Sequence, residues 1–144
     1  GHASATGGLS HTLMRCCAPV PGDTIKGYIT RGRGISVHRA NCNNLKNYER
    51  REPNRIVKAV WSDGGEKTYQ ALVAVESTDR SGLLADITTL IAARKINIGA
   101  VNTYPLKHGR ARLNLTVTIS SRQQLEELMG ALSQVRGVIR VHRV

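Results

Sequence analysis

The chain has 144 residues, of which 40% are hydrophobic and 3% aromatic, and its formal net charge is +11. This length supports one modest core or two small ones, and we expect two small domains. No segment approaches the roughly 18 apolar residues that a membrane-spanning helix needs, and the start lacks the order of a signal peptide, so we expect a soluble protein without a membrane partner. With so few aromatic rings, stacking on single-stranded bases cannot be the main binding mode.

The positive charge is spread over the whole length of the chain. Residues 1–68 contain 11 Lys and Arg against 5 Asp and Glu, net +6, and residues 69–144 contain 10 against 5, net +5. This balance favours polyanionic partners such as RNA, because each neutralised phosphate releases counterions. Contacts with the backbone and shape of folded RNA are then expected. A solubilising surface is the alternative.

Residues 1–9 are typical of a cloning remnant followed by a frayed lead-in. The start neither retains nor follows a Met, so we expect the chain to be a piece of a longer protein. Three cysteines cannot all pair with one another, and an odd number near a histidine indicates reduced thiols in the cytoplasm.

Residues 10–55, which hold all three cysteines, are assigned to a first, small β-rich domain stapled by zinc. Four soft or borderline donors there suit a tetrahedral zinc ion: Cys16, Cys17, His38 and Cys42. The spacing of His38 and Cys42 brings both side chains to one face of a helical turn. Neighbouring side chains in a strand point apart, so Cys16 and Cys17 can share an ion only where the backbone bends. Nearby Pro19 and Pro21-Gly22 favour a bend.

Other interpretations of this cluster stay open. One cysteine could be a small buried hydrophobe with no metal bound, or three of the donors could act with another group. A catalytic zinc keeps an open position for water, whereas four donors in a small basic domain favour a closed structural site. Pro21-Gly22-Asp23 and Gly32-Arg33-Gly34 are typical of turns, the second joining strands at 24–30 and 35–38. A phosphate cradle is the alternative for these glycines.

Basic residues are concentrated around the second half of this domain. Seven of them lie within 25 residues that hold only two acids, Glu49 and Glu52: Arg31, Arg33, Arg39, Lys46, Arg50, Arg51 and Arg55. Arginine offers planar donors suited to phosphate, which predicts an RNA-binding surface. A solvated face is the alternative.

The sequence turns polar after residue 45, where we place the linkage between the domains. Residues 56–68 are predicted to be a linking strand and turn. The strand covers residues 56–61, with Val57, Ala59 and Trp61 on one side. It could pack on either neighbour.

Residues 69–144 have a regular pattern. A strand at 69–77 is followed by a break at 79–82 and by a helix whose apolar residues recur at helical spacing: Leu83, Leu84, Ile87, Leu90 and Ile91. Asp79 or Ser81 is expected to cap this helix. Strands at 96–104 and 110–119 come next, joined by a turn at 105–109.

A capping box at Ser121-Arg-Gln-Gln124 begins a second helix, with Leu125, Leu128, Met129 and Leu132 on its apolar face, and Gly137 ends it. A last strand covers 138–144. This order predicts a ferredoxin-like βαββαβ domain, so the fold class is α+β. Both helices would cover one face of the sheet. The other face would show a mixed, open surface that leaves dimerisation possible: Leu72, Ala74, Arg110, Arg112 and Asn114.

The first domain resembles the conserved-cysteine, zinc-finger domain of long RelA/SpoT homologues, the bacterial (p)ppGpp synthetase/hydrolase family. The motifs that carry the resemblance are Cys16-Cys17, Pro19-Val-Pro-Gly-Asp23, Thr30-Arg-Gly-Arg-Gly34 and His38-Arg-Ala-Asn-Cys42. Asp79-Arg-Ser-Gly-Leu-Leu-Ala-Asp86 and Asn97-Ile98 resemble the ACT domain that ends those proteins. Nearly the whole chain after about residue 9 is covered.

The resemblance implies a regulatory C-terminal region of a (p)ppGpp synthetase, hydrolase or both, without the catalytic domains. It implies that the first domain contacts ribosomal RNA and A-site tRNA, and that the four donors ligate zinc. The residues expected to bind RNA are Arg31, Arg33, Arg39, Lys46, Arg50 and Arg51.

For the ACT domain, the resemblance implies contacts with ribosomal RNA and, in some members, binding of a branched-chain amino acid such as valine or isoleucine. The site would comprise Asp79, Arg80, Gly82, Leu83, Leu84, Asn97 and Ile98. Amides at the helix start can accept the carboxylate, and the apolar side chains can line the pocket. Alternatively, these apolar residues belong to the core.

Two other functions are compatible with the pattern. One is an intramolecular or homodimerising module that acts on the catalytic domains of the same protein without binding RNA. The other is a free-standing metal hydrolase, which is disfavoured because no Glu lies beside the candidate ligands to act as a base.

Overall fold

The computed structural model describes the backbone of residues 2–5 and the whole of residues 10–32, 34–62 and 68–144. The chain divides into two compact units, Gly1–Tyr69 and Gln70–Val144. No helix in the described part is long and apolar enough to cross a membrane.

The first unit is built on a five-stranded sheet. Its strands are β1 (His2–Ala5), β2 (His11–Leu13), β3 (Ile25–Ile29), β4 (Ile35–Arg39) and β5 (Ile56–Ser62), in the order β1-β5-β3-β4-β2. β2 runs parallel to β4, whereas β3 is antiparallel to both of its neighbours and β1 is antiparallel to β5. The sheet curls so that β1 and β2 approach each other. Helix α1 (Asn43–Arg51) and a single 3-10 turn (Pro53–Arg55) connect β4 to β5.

The two faces of this sheet have different roles. One face encloses an apolar cluster of Ile25, Ile35, Val37 and Ala59, against which Val57 and Trp61 pack. The predicted common side of Val57, Ala59 and Trp61 is therefore present. The opposite face carries α1 and a second cluster, formed by Cys17, Tyr28, Cys42 and Leu45. The candidate metal donors thus lie in the layer between the sheet and α1.

Two segments of the first unit are more regular than their sequence indicates, and the predicted linking strand joins its sheet. Residues 45–51 belong to α1, whose single buried residue is Leu45, so the helix has almost no apolar stripe. β5 pairs with β3 and is part of the first sheet. Residues 2–5, assigned above to the lead-in, pair with β5 from His2 opposite Ser62 to Ala5 opposite Ala59.

The turn between β3 and β4 is present as predicted. The amide and hydroxyl of Thr30 donate to the Gly34 carbonyl at 2.9 and 2.7 Å. Gly34 has a φ of +81°, and a Cβ at this position would lie 2.4 Å from the carbonyl oxygen of Ser10. That oxygen accepts the amide of Ile35 at 2.8 Å. Gly34 is therefore required both by its backbone conformation and by the close approach of Ser10, the residue before β2.

The second unit has the predicted ferredoxin-like arrangement. Its strands are β6 (Tyr69–Thr78), β7 (Asn97–Leu106), β8 (Arg110–Ile119) and β9 (Val138–Arg143), in the order β7-β8-β6-β9, with α2 (Leu83–Ala93) and α3 (Arg122–Ser133) between them. Alternate residues of β6 and β8 are buried with one side of each helix, including Val73, Leu115, Ile87 and Leu128. The α+β fold class is confirmed for this half of the chain.

The two helix starts differ in how they are capped. Ser121 Oγ accepts the amide of Gln124 at 3.1 Å, as a capping box requires, while Gln124 Oε1 accepts the amide of Ser120 at 2.7 Å. The prediction that Asp79 or Ser81 caps α2 is wrong. The N-cap is Gly82, with a φ of +80° and no side-chain cap. A left-handed residue at this position brings the chain into the helix from a tight turn, a conformation that favours glycine.

Replacing Gly34 with alanine is expected to destabilise the first unit far more than replacing Gly32. Both residues have positive φ, but a Cβ at Gly32 meets nothing within 4 Å. Gly32→Ala should cost about 1 kcal/mol of left-handed strain, and Gly34→Ala about 3 kcal/mol or more, because the clash adds to the strain. Urea unfolding followed by the fluorescence of Trp61, the single tryptophan, measures both. Equal losses would contradict the close approach.

Candidate metal centre and basic surface

Three separate elements bring the four predicted donors together. Cys16 and Cys17 lie in a turn between β2 and β3, His38 lies on β4, and Cys42 is the N-cap of α1. Their ligand atoms all lie within 4.8 Å of one another. Cys17, His38 and Cys42 are buried, whereas Cys16 is exposed. The sequence prediction of a four-donor cluster is therefore matched by the geometry.

The backbone bend that the two adjacent cysteines require is present. The amide of Ala18 donates to the carbonyl of Met14 at 2.9 Å, which closes a turn around Cys16 and Cys17. Ala18 has a φ of +45°, in the left-handed region that costs a residue with a side chain about 1–2 kcal/mol. The turn allows both thiols to face His38.

The distances within the cluster suit a tetrahedral ion. Bond lengths of about 2.3 Å to sulfur and 2.0–2.1 Å to nitrogen place neighbouring ligand atoms about 3.6–3.8 Å apart. The Sγ of Cys16 lies 3.7 Å from the Sγ of Cys42 and 3.5 Å from Nδ1 of His38. The Sγ of Cys17 lies 3.9 Å from the same nitrogen. Three thiols and an imidazole at these separations fit a metal without large movements.

The surroundings favour different protonation states at these groups. Burial raises the pKa of the Cys17 thiol to about 12. Burial also acts to raise the pKa of Cys42, but the amides of Leu45 and Asn44 at the start of α1 and the neighbouring thiols lower it below its ordinary value. Burial lowers the pKa of His38. His38 is therefore neutral near pH 7, which is the state that can donate to a metal.

Two local structures hold the cysteine turn in place. Arg39 donates its Nε–H to the Cys17 carbonyl at 2.8 Å, and its amide lies 3.3 Å from the Cys17 thiol. In the turn that precedes β3, Asp23 Oδ2 accepts the amide of Val20 and the Asp23 amide donates to the Val20 carbonyl. Gly22 within that turn has a φ of +104°. The Pro21-Gly22-Asp23 motif is thus a turn, as predicted.

The predicted RNA-binding residues separate into two groups. Arg39 holds the cysteine turn, and Arg31 forms an ion pair with Glu52. By contrast, Lys46, Arg50 and Arg51 are exposed on α1, and none of them forms an ion pair with any described residue. Arg33 lies outside the described residues. We refer to Lys46, Arg50 and Arg51 as the α1 basic face.

The two acids of this region are neutralised away from the α1 basic face. Glu49 pairs with Lys26 of β3 at 3.0 Å. Glu52 accepts the hydroxyl of Tyr28 and pairs with Arg31 and Arg55. Their charges therefore do not offset the α1 basic face, and its field towards solvent is positive.

Sequence reasoning missed two residues beside the cluster. Arg15 is exposed next to Cys16, and its position directly before a candidate ligand could have indicated that it lies beside the cluster. Ser36 places its Oγ 3.2 Å from Nε2 of His38. Ser36 and His38 are two residues apart on β4, so their side chains share one face of the strand. This alternation could have revealed the contact.

The structure brings together only part of the predicted amino-acid site. Leu83 is buried in the core, Leu84 is 45% exposed, and Ile98 is half-buried. Asp79 and Asn97 are exposed at the start of α2 and of β7. Gly82 begins α2 without a side-chain cap. Asp79, Arg80, Gly82 and Leu84 lie at the start of α2, but Leu83 is not available to a ligand. Asn97 and Ile98 lie at the other end of the unit, because they pair with Thr118 and Val117, whereas the Asp79 amide donates to the Gly109 carbonyl in the turn between β7 and β8.

Arg80 already has protein partners on three sides. It donates to the Arg136 carbonyl at 2.8 Å, to the Ser81 carbonyl at 3.0 Å and to Asp86 at 2.6 Å. Its guanidinium therefore fixes the loop before α2 instead of pointing to an empty site.

Comparison with known proteins matches both units. The ACT domain family matches residues 65–143, and the RelA/SpoT RIS domain family matches residues 3–62. The chain belongs to the RelA/SpoT family. Its first unit is a RIS domain and its second an ACT domain.

Relatives from distant bacteria align with both domains. GTP pyrophosphokinase of Escherichia coli K12 is 45% identical over 96% of this chain, which is 19% of that protein. GTP pyrophosphokinase of Streptomyces coelicolor is 36% identical over 92% of the chain and 16% of its own length. The bifunctional (p)ppGpp synthase/hydrolase RelA of Mycobacterium tuberculosis is 34% identical over 95% of the chain and 18% of its own length.

The chain therefore spans about a fifth of these relatives. It covers the RIS and ACT domains, and the catalytic domains that give the relatives their names are absent from it. The predicted relationship to the C-terminal region of the RelA/SpoT family is confirmed.

Proposed function

We propose that this chain is the regulatory segment of a longer cytoplasmic (p)ppGpp synthetase, hydrolase or both. Its zinc-held RIS domain docks on ribosomal RNA and tRNA and reports translational state to the catalytic domains of the same protein. The observation that carries the proposal is the position of α1, which contributes Cys42 to the four-donor cluster and presents the α1 basic face to solvent.

Zinc is the proposed ion because the donor set is three thiols and one imidazole, which this metal prefers in closed structural sites. Cys16, Cys17, His38 and Cys42 would each supply one ligand, leaving no position for water. When bound, the ion supplies a cross-link and no chemistry on a substrate. It would join the cysteine turn, β4 and the start of α1, and its binding energy would stabilise the folded RIS domain.

The RNA proposal depends on charge. Lys46, Arg50 and Arg51 lie on consecutive turns of one helix whose N-cap, Cys42, belongs to the cluster. Their positive field attracts phosphate and weakens with salt. Because the zinc site fixes the start of α1, loss of the metal should weaken RNA binding as well as folding.

Elemental analysis is expected to find close to one zinc ion per chain. His38→Ala and Cys42→Ser should lose most of it, because each removes one of four ligands. His142→Ala removes an imidazole from the ACT domain and should retain full zinc content. Removing zinc with a chelator should shift the urea unfolding curve of Trp61 to lower concentration. Metal-free protein with an unchanged curve would contradict a structural zinc.

Ribosome binding is expected to depend steeply on salt through the α1 basic face. Substituting one phosphate-contacting residue should reduce the slope of log K against log salt by about 1, so the triple variant K46Q/R50Q/R51Q should lose about 3. Lys58→Gln, an exposed lysine on β5, is the matched control and should leave the slope unchanged. Sedimentation with purified ribosomes at several salt concentrations measures this. Equal slopes for all proteins would favour a module without RNA contacts.

For the ACT domain, we propose binding of a branched-chain amino acid at the start of α2. Support comes from the helix start at Gly82, which has no side-chain cap and where backbone amides can donate to a carboxylate, and from the exposed side chain of Leu84. Asp79, exposed just before α2, would meet the ammonium group. Because Arg80 is already engaged, the carboxylate would depend on backbone amides.

Isothermal titration with valine, isoleucine and leucine is expected to give heat of binding with at least one of them. Asp79→Asn should weaken that binding at least tenfold, whereas Asn102→Ala, an exposed residue on β7, should not. No heat at millimolar ligand would contradict the sensor, and would leave homodimerisation or RNA contacts as the role of the ACT domain.

A further inference from the structure

The two nitrogens of the His38 ring face different partners. Nδ1 lies 3.5 Å from the Sγ of Cys16 and 3.9 Å from that of Cys17. Nε2 lies 3.2 Å from the hydroxyl oxygen of Ser36. His38 is 2% exposed and Ser36 is 5% exposed, so water has little access to either side chain.

The hydroxyl of Ser36 connects the ring to the sheet. Its oxygen lies 3.5 Å from the backbone carbonyl of Tyr28, which is the cross-strand partner of Ser36 on β3. A carbonyl can only accept, so the hydroxyl proton of Ser36 is directed to Tyr28. The lone pairs of Ser36 then remain for the ring N–H of His38.

This arrangement favours one tautomer of the imidazole. A neutral ring carries hydrogen on one nitrogen and a lone pair on the other. With Ser36 accepting at Nε2, the hydrogen stays on Nε2 and the lone pair of Nδ1 faces the thiols of Cys16 and Cys17. That is the nitrogen that a metal in the cluster requires.

We propose that Ser36 is a positioning residue of the metal site, whose hydroxyl accepts the Nε2–H of His38 and so presents Nδ1 to the ion. This inference rests on the proposed zinc site. Hydrogen-bond partners of ligating histidines set the tautomer and ring orientation, and their loss typically costs about 10- to 100-fold in metal affinity. The buried position of Ser36 strengthens its effect, since no water can replace the hydroxyl without a cavity.

Zinc affinity of the whole 144-residue chain, measured by competition with a chromophoric chelator, tests this role. Ser36→Ala and Ser36→Val should bind zinc about 10- to 100-fold more weakly. Ser36→Thr keeps the hydroxyl and has nearly the same shape as Ser36→Val, so it should stay within about threefold of the unchanged protein. Thr30→Val removes a hydroxyl that donates to the turn carbonyl of Gly34, and it should bind zinc normally.

A spectroscopic reading separates positioning from folding. Nitrogen-15 spectra of the zinc-loaded, unsubstituted protein should show His38 with its hydrogen on Nε2, exchanging slowly with solvent. In Ser36→Ala that proton should exchange faster, and the ligand-field bands of the cobalt-loaded protein should shift. This reading on the unsubstituted protein holds even where a variant fails to fold.

Three results would overturn the proposal. They are an affinity of Ser36→Ala and Ser36→Val within twofold of the unchanged protein, an equal loss in Ser36→Thr, and a spectrum with zinc on Nε2 and hydrogen on Nδ1. Failure of the unchanged protein to bind zinc would instead refute the proposed metal site, so the two failures are distinguishable.

Discussion

The backbone turn at Cys16 and Cys17 is the constraint on which the RIS domain depends. Adjacent side chains ordinarily point to opposite sides of the chain, and only the turn closed by the Ala18 amide directs both thiols to His38. The free-energy cost of the left-handed conformation at Ala18 has to be offset by the contacts that the turn makes possible. That offset comes from the Arg39 contact with Cys17 and from the four-donor cluster.

The same arrangement separates charge on the two sides of α1. Glu49 and Glu52 turn towards Lys26, Tyr28 and Arg31 in the sheet and its turn, while the α1 basic face points to solvent. A count of charges along the chain gives the net charge of the segment but does not show that its acids and its exposed basic side chains lie on different sides of α1. Structural arginines such as Arg39 therefore have to be distinguished from those that are free to meet a phosphate. For the same reason, substituting every arginine in the segment would mix loss of folding with loss of binding.

The sequence predicted the ACT domain well because period-two and helical patterns there are long and its core residues lie on regular faces, as in β8 and α3. It predicted the four donors from their chemistry. It did not predict α1, which buries only Leu45, or β2, which has three residues. The predicted cap of α2 was wrong because the N-cap is Gly82, whose left-handed backbone conformation starts the helix without a capping side chain. The role of Ser36 was not predicted, because a serine in a strand has no distinctive pattern. Its position becomes informative only once His38, two residues along β4, is known to need a hydrogen-bond acceptor at Nε2.

The pairing of β1 with β5 has a consequence for the order of events during synthesis. His2 meets Ser62, so the first strand made waits for the last strand of the same sheet before it gains a partner. β3 likewise lacks one neighbour until β5 has emerged. Pairings between residues so distant in the chain form slowly, because loop closure precedes any gain in contacts. The RIS domain therefore completes its sheet only when residue 62 has left the ribosome, whereas the candidate metal donors Cys16, Cys17, His38 and Cys42 leave it earlier.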